Sequence, residues 1–95
     1  MLNFTYSNIK FGRQGGGDWL NIRGEIQNCM ARDFNAVVFR IIVFVSSIPK
    51  ANVTLTINGF PAKQSHYFEK EIEDIIYSEE LKKAIRCEIY PESAY

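Results

Sequence analysis

The segment that most constrains how this chain can fold is residues 34–46, FNAVVFRIIVFVS, which is apolar almost throughout and contains one charged residue, Arg40. Its apolarity alone would permit a helix. However, valine, isoleucine and phenylalanine dominate the segment, and leucine is absent from it. Because β-branched and aromatic side chains favour an extended backbone, the segment is predicted to be a strand.

Alternate residues of this strand point to opposite sides, and we predict a different environment for each side. We assign to the core an unbroken apolar row: Val37, Phe39, Ile41, Val43 and Val45. The other side is apolar apart from its one charge: Ala36, Val38, Arg40, Ile42 and Phe44. An apolar stripe on the outside of a small protein usually marks a contact surface. The alternative is that this side is also buried, beneath a short helix or a loop.

Alternation with a period of two also predicts strands at residues 2–7, 19–28, 52–57, 65–72 and 85–90. The alternation of the first strand slips at residues 8 and 9, which indicates a bulge or the end of the strand. Gly24 interrupts the apolar row of the second strand, so another backbone or a large side chain is expected to approach closely there. The last strand is expected to stop before Pro91.

Glycine, proline and asparagine mark the connections between strands at residues 12–18, 46–51 and 58–64. Pro49 is expected to keep the second of these out of a strand, since proline has no N–H for a strand ladder. Residues 78–84, SEELKKA, are predicted to form one or two helical turns, because Ser78 can cap them and acidic residues precede lysines along them.

These elements predict a single all-β domain over residues 1–95: an immunoglobulin-like β-sandwich of six to seven antiparallel strands, with at most one short helix. Lys and Arg together number 11, as do Asp and Glu, so the net charge is zero and no nucleic-acid partner is expected. No apolar run approaches the ~20 residues of a membrane-spanning helix, so no membrane insertion within this chain is expected.

The charges are nevertheless unevenly distributed along the chain. Residues 1–63 hold seven basic and three acidic residues, a net charge of +4. Residues 64–95 hold four basic and eight acidic residues, a net charge of −4. Because the strands of a sandwich interleave, we expect ion pairs between strands rather than a charged pole.

The two cysteines, Cys29 and Cys87, leave two alternatives open, a disulfide bond and a pair of free thiols. The first requires an oxidising compartment and a Cα–Cα distance that only the fold can provide. Two cysteines with one histidine, His66, are too few for a tetrahedral zinc site, so neither a metal nor another cofactor is expected.

His66 begins the strand that also carries the densest acidic face of the chain, which is formed by Tyr67, Glu69, Glu71 and Glu73. A catalytic histidine needs a nucleophile and an orienting partner, and no nucleophile motif is present, so the chain is not expected to be an enzyme. The alternative is a small-ligand-binding or hydrolytic domain that uses His66 and the acidic strand. A deep pocket holding His66 beside Glu69 or Tyr67 would favour that alternative.

Residues 19–73 resemble the FxLYD-type domains, which are small immunoglobulin-like sandwiches found mostly in bacterial and archaeal envelope proteins. The Gly-Glu-x-x-Asn strand end of that family is matched by Gly24, Glu25 and Asn28. The apolar and aromatic positions of its long strand are matched by Ile41, Val43 and Phe44. The chain departs from the family at Val45, where the family has an aspartate. It also departs at the turn Phe60-Pro61-Ala62-Lys63, which lacks the family's glycine.

The resemblance implies a sandwich fold, an interaction role and an extracytoplasmic or cell-envelope location, and it supplies no catalytic residues. The chain is therefore expected to be a non-catalytic structural or protein-interaction module, one domain of a larger envelope-associated protein. Its predicted interaction face consists of Val38, Ile42, Phe44 and Trp19. A further alternative is homo-oligomerisation through this face or through an open strand edge.

Overall fold

The computed structural model describes residues 2–13 and 16–95, in which six strands form two antiparallel three-stranded sheets. The elements are β1 (Phe4–Arg13), β2 (Trp19–Asn28), β3 (Phe34–Val45), β4 (Ile48–Phe60), β5 (Ser65–Ile76), α1 (Glu79–Ala84) and β6 (Ile85–Ala94). One sheet has the strand order β1-β2-β5, and the other has the order β4-β3-β6. The predicted all-β sandwich with one short helix is confirmed.

The central strand β3 provides the middle of the core, because it is hydrogen-bonded to β4 on one side and to β6 on the other. Its inward residues are fully buried: Val37, Phe39, Ile41 and Val43. They confirm the predicted core row, whose last member, Val45, is half-buried. The opposite sheet contributes other fully buried side chains, namely Leu20, Ile22, Ile26 and Ile72. The hydrophobic core therefore lies between the two sheets.

Aromatic rings fill the end of the core at which β1 and β3 begin. The Phe4 ring meets Phe39 edge to face at a centroid distance of 5.1 Å, and it lies 6.0 Å from Phe34 and 5.6 Å from Phe60. Edge-to-face and tilted pairs at these separations are the favoured arrangements for buried rings. Phe4 thus links the edge strand β1 to β3 and β4 of the opposite sheet.

The predicted irregularity in β1 is confirmed as a bulge. The register of β1 against β2 shifts between Ser7 and Lys10, and Asn8 has a φ of 54°. Because of this bulge, Ile9 joins the residues packed against the core. The strand then continues to Arg13, beyond the start of the loop predicted at residues 12–18. Residues 14 and 15 of that loop lie outside the described residues.

Gly24 is the place where the bulged strand β1 and the neighbouring strand β5 come closest to the backbone of β2. A Cβ atom built on Gly24 would lie 2.5 Å from Cδ1 of Ile9 and 3.0 Å from Cε1 of Phe68. The close approach predicted for this glycine is confirmed. A methyl group at this position would require both side chains to move.

Two strand boundaries predicted at prolines are wrong, and both errors have the same physical cause. The turn after β3 consists of Ser46 and Ser47 with φ of 51° and 68°, and β4 then begins at Ile48 and includes Pro49. Similarly, β6 continues through Pro91 to Ala94. Both β4 and β6 are edge strands, and their register against β3 shifts beside each proline. An edge strand with a bulge tolerates a missing N–H donor.

Other boundaries differ by a few residues. Strand β4 extends to Phe60, so the connection predicted at 58–64 is reduced to residues 61–64. Strand β5 extends to Ile76, beyond the predicted end at residue 72. The helix prediction is confirmed, since the Ser78 side chain accepts a hydrogen bond from the backbone N–H of Leu81 at 3.0 Å.

Asn28 is a fully buried polar residue that joins two connections where β2 ends. Its Nδ2 donates to the carbonyl oxygens of Arg32 at 2.9 Å, Pro61 at 3.2 Å and Phe60 at 3.3 Å. Its Oδ1 accepts from the backbone N–H of Met30 at 2.9 Å. A buried amide is stable when its donor and acceptor atoms are used, as they are here. The side chain of Asn28 therefore fixes the β2–β3 connection against the β4–β5 turn.

Replacement of Gly24 by alanine should lower the free energy of unfolding by about 1–3 kcal/mol, because the new methyl group overpacks the contact with Ile9 and Phe68. Urea denaturation measures this change. Gly12→Ala is the matched control, since the nearest atom to a Cβ on Gly12 lies 3.8 Å away, at the end of the Arg23 side chain. Equal stability of the two variants would contradict the close packing at Gly24.

Replacement of Asn28 by aspartate should lower the free energy of unfolding at pH 7 by about 3 kcal/mol, because an ionised oxygen would face three carbonyl oxygens. This environment raises the pKa of the new carboxyl group in the folded state. The deficit relative to the wild type should therefore shrink as the pH falls through this raised pKa, and it should be smallest below about pH 4, near the pKa of an unfolded-state aspartate. Asn58→Asp on the exposed side of β4 is the control, and it should change stability little at either pH.

Candidate protein-interaction surface

The outer side of the β4-β3-β6 sheet carries the apolar stripe predicted from the sequence. Val38, Ile42 and Phe44 of β3 are half-buried there, while the alternate residues of the strand fill the core. The register places Thr56, Asn52 and Pro49 of β4 beside these three residues on one flank. On the other flank it places Ser93, Glu88 and Arg86 of β6. The surface is therefore a sheet face with an apolar centre and mostly polar margins, which we call the β3 face.

Arg40 crosses the middle of the β3 face and joins its three strands. Its Nε and Nη2 donate to the two carboxylate oxygens of Glu92 on β6, at 2.7 and 3.0 Å. Its Nη1 donates to Oδ1 of Asn52 on β4 at 2.9 Å. This is an ion pair between the basic and the acidic part of the chain, of the kind that the charge distribution predicted.

The geometry of this pair also shifts the pKa values of its two groups. The hydrogen bond from Arg40 lowers the pKa of the Glu92 carboxyl group below its usual value of 4.5, and the same bond raises the pKa of Arg40. A bidentate arginine–carboxylate pair is among the more directional charged contacts in proteins. The single charge in the apolar stripe is therefore neutralised within the sheet.

Phe44 forms one wall of an open groove on the β3 face, next to the C-terminal end of β3. The groove has a volume of about 420 Å³ and is lined by Ile42, Phe44, Pro49, Lys50, Ala51 and Asn52. The guanidinium carbon of Arg86 lies 4.0 Å from the centroid of the Phe44 ring, within the range of a cation–π contact. Phe44 is thus partly covered by a charged side chain that solvent also reaches.

The helix α1 does not lie flat over this groove. Its Leu81 packs against the buried core, and no residue of the helix is itself buried. Tyr77, which precedes the cap, donates a hydrogen bond to Oε1 of Glu79 at 3.3 Å. The helix therefore covers the end of the core between β5 and β6.

Trp19, the fourth residue of the predicted interaction face, lies in the other sheet. It begins β2, and its Cα pairs with that of Ile76 on β5. The two side chains are exposed, at 40% for Trp19 and 62% for Ile76. The structure therefore brings Val38, Ile42 and Phe44 together but separates Trp19 from them.

The residues of the alternative ligand site are likewise separated. The Nδ1 atom of His66 lies 2.7 Å from the carbonyl oxygen of Tyr67, and its ring packs 5.8 Å from that of Phe60. Glu69, by contrast, accepts a hydrogen bond from Nδ2 of Asn21 at 2.9 Å. A polar depression of about 450 Å³ includes Tyr67, with Arg23 and Glu25 of β2 among its other lining residues, but His66 is not part of it. These side chains form no joint constellation.

Cys29 and Cys87 are free thiols, so the disulfide alternative is not the one that the structure holds. The N–H of Cys29 donates to the carbonyl of Asn3, at the same end of the sandwich as Phe34. Cys87 pairs with Val43, nine residues further along β3. At about 3.3 Å per strand residue the two thiols stand roughly 30 Å apart, which no disulfide can span. Burial raises the pKa of the Cys87 thiol.

A second open surface was not foreseen from the sequence, and it lies between the edge strands of the two sheets. A cleft of about 330 Å³ separates β1 from β6, and its apolar lining residues are Tyr6, Ile9, Phe11, Ile85, Cys87 and Ile89. The alternation of residues 85–90 places Ile85, Cys87 and Ile89 on one side of the last strand. It did not show that β1 and β6 would both be sheet edges on the same side of the sandwich.

Tyr6 is the unusual residue of this cleft. Its hydroxyl oxygen is buried, and it is without a hydrogen-bond partner among residues 2–13 and 16–95. Burial raises the pKa of Tyr6 to about 12. Its ring meets Phe39 edge to face at 6.2 Å, so packing rather than hydrogen bonding positions this side chain.

Comparison of the chain with models of known protein families gives no match, and comparison with curated protein sequences gives no significant match. The resemblance to FxLYD-type domains therefore stays a prediction. Within the described part of the chain, no helix is long and apolar enough to cross a membrane.

The Arg40–Glu92 pair should make the stability of the β3 face pH-dependent in acid. Because the folded-state pKa of Glu92 is lowered, the pair stabilises fully above about pH 4.5 and is lost as the pH falls through that lowered pKa. Glu92→Gln should therefore unfold at a lower urea concentration than the wild type at pH 7, and the difference should shrink as the pH falls below about 4.5.

Glu88→Gln is the matched control for this measurement, because its partner Arg86 lies on the same strand at 3.1 Å and the pair joins no neighbouring strands. It should change the urea midpoint less than Glu92→Gln does at pH 7. A wild-type advantage over Glu92→Gln that persists unchanged at pH 3 would contradict the ion-pair explanation.

Proposed function

We propose that this domain is a non-catalytic protein-interaction module that binds a protein partner through the β3 face. The supporting observation is the open groove beside Ile42 and Phe44, at one end of the apolar stripe of the β3 face, whose flanking residues on β4 and β6 are mostly polar. An apolar centre with a polar rim is the usual arrangement of a protein–protein interface. As the family resemblance implies, we propose that the module belongs to a larger envelope-associated protein.

The charges around the groove define the partner's chemistry. Arg40 is paired with Glu92, and Arg86 with Glu88. Lys50 lines the groove, is exposed, and makes none of the side-chain hydrogen bonds or ion pairs found among the described residues. We therefore infer a partner segment that inserts an apolar side chain beside Phe44 and places a carboxylate near Lys50.

Two features support an interaction role over a catalytic one. The side chains considered for chemistry, His66, Tyr67 and Glu69, are not gathered into one pocket. The three strands of the β3 face, in contrast, are joined by Arg40, which is hydrogen-bonded to both flanking strands. Such a preorganised face loses little conformational entropy when a partner binds.

The proposal predicts face-selective cross-linking in cells that naturally produce the protein. A photoreactive benzoylphenylalanine that replaces Phe44 should form a covalent adduct with the partner. The same residue in place of Tyr67, an exposed aromatic side chain of the other sheet, should not. Mass spectrometry of the adduct identifies the partner, which is then purified for binding measurements.

In those measurements Phe44→Glu and Lys50→Glu should each weaken binding, the first by tenfold or more, since a buried aromatic residue typically dominates an interface. Tyr67→Glu should leave the affinity unchanged. Because Lys50 is exposed, Lys50→Glu is expected to keep the fold. It therefore tests the proposal even where Phe44→Glu disturbs folding. Equal adduct yields at positions 44 and 67, or wild-type affinity in the Lys50 and Phe44 variants, would overturn the proposal.

A further inference from the structure

The two described sheets have four edge strands, and three of these edges carry a feature that opposes pairing. The edge of β1 is broken by the bulge at Asn8, and that of β4 carries Pro49 and a register shift and lies against β5. The edge of β5 bears Glu69, Glu71 and Glu73 at alternate positions, which would face like charges in a self-pairing centred on them. Bulges, prolines and charges are the common means of protecting an edge.

The fourth edge, the first half of β6, has neither a bulge nor a proline, and its two charges are opposite in sign. Residues 85–90 pair with β3 in unbroken register, and the shift comes only beyond Tyr90, next to Pro91. In this stretch the half-buried Ile85, Cys87 and Ile89 alternate with exposed residues of opposite charge, Arg86 and Glu88. The pattern Ile-Arg-Cys-Glu-Ile is centred on Cys87, and its two charges are opposite in sign.

We propose that two copies of this chain pair antiparallel through the β6 edge, about a two-fold axis at Cys87. In that register Arg86 lies opposite Glu88 of the partner subunit, and Glu88 lies opposite the partner's Arg86. Ile85 and Ile89 likewise meet the partner's Ile89 and Ile85 on the inner side. Opposite charges across an antiparallel pair are stabilising, so this register is selected by charge complementarity.

The same pairing closes the apolar cleft between the sheets. A strand added beside β6 places its own inward side chains on the side of Tyr6, Ile9 and Phe11, which are half-buried in the single chain. The two three-stranded sheets that contain β6 then join into one six-stranded sheet. Because the interface is two-fold and Pro91 limits its length, the assembly stops at a dimer and does not grow into a fibre.

This inference is independent of the partner proposed for the β3 face, because it rests on the edge of β6 and on the cleft behind it. A pairing of about five residues is a small interface, so the dimer should form with rising protein concentration. Analytical ultracentrifugation over a concentration series measures it directly. A wild-type chain that stays monomeric up to millimolar concentration would overturn the proposal.

Charge exchange tests the register. Arg86→Glu places acids opposite acids and Glu88→Arg places bases opposite bases, so each variant alone should be monomeric at concentrations where the wild type is dimeric. An equimolar mixture of the two variants restores opposite charges at both pairs and should form a heterodimer. A mixture that remains monomeric, although both variants keep the wild-type circular dichroism spectrum, would overturn the register.

Cys87 gives a second readout, because directly opposite residues of an antiparallel pair have Cα atoms about 4.5–5.5 Å apart, within disulfide range. Oxidised glutathione at pH 8.5 should convert the two Cys87 thiols of a dimer into one intermolecular disulfide, with glutathione accepting the two electrons and two protons. Cys29→Ser should cross-link like the wild type, and Cys87→Ser should not. Cross-linking through Cys29 instead would count against the two-fold axis.

The outcomes also separate this proposal from the one for the β3 face. A dimer that is broken by Phe44→Glu but unaffected by Arg86→Glu or Glu88→Arg would be formed by the β3 face, and it would overturn pairing through β6. A dimer that follows the charge-exchange pattern, while Lys50→Glu leaves it intact, supports the β6 edge whatever the result of the partner-binding measurements.

Discussion

The burial of one side of β3 is the interaction on which the rest of this structure depends. Its four inward residues Val37, Phe39, Ile41 and Val43 are fully buried, and each contributes roughly 1.5–3 kcal/mol of hydrophobic free energy. A strand can bury such a row only if its backbone is paired on both sides, since unpaired N–H and C=O groups at the core would offset the gain. The pairing with β4 and β6 therefore follows from the composition of β3, and the opposite side of the strand necessarily becomes the outer side of a sheet.

Two polar residues, Asn28 and Arg40, stabilise the places where strands are connected or where neighbouring strands must be held together. Asn28 satisfies backbone groups of two connections at once, and without it the β2–β3 connection and the β4–β5 turn would each expose or bury unpaired groups. Arg40 plays the corresponding role on the β3 face, where it links the two edge strands β4 and β6 through their common neighbour. One residue secures the end of the sandwich, and the other secures the surface proposed for binding.

The sequence carried enough information for the strands, the core row of β3, the bulge of β1 and the close contact at Gly24, because each depends on local alternation. It could not give the strand ends at Pro49 and Pro91, because a proline is excluded from a central strand but tolerated at an edge, and edge position is a property of the whole sheet. For the same reason Trp19 was grouped with Phe44, although the two lie in different sheets. The cleft between β1 and β6 was missed because its walls come from opposite ends of the chain.

Arg86 lies at the boundary between the two proposed surfaces. Its guanidinium group lies over Phe44 of the β3 face, and it also forms a hydrogen bond with Glu88 along the edge of β6. Self-pairing through β6 would offer Arg86 a second carboxylate, that of the partner's Glu88, on the side away from the Phe44 ring. A guanidinium drawn toward that carboxylate leaves the aromatic face more accessible, whereas a partner that packs on Phe44 displaces Arg86 toward the edge. Both proposed contacts would therefore act on the Arg86 side chain, although each proposal rests on its own observations.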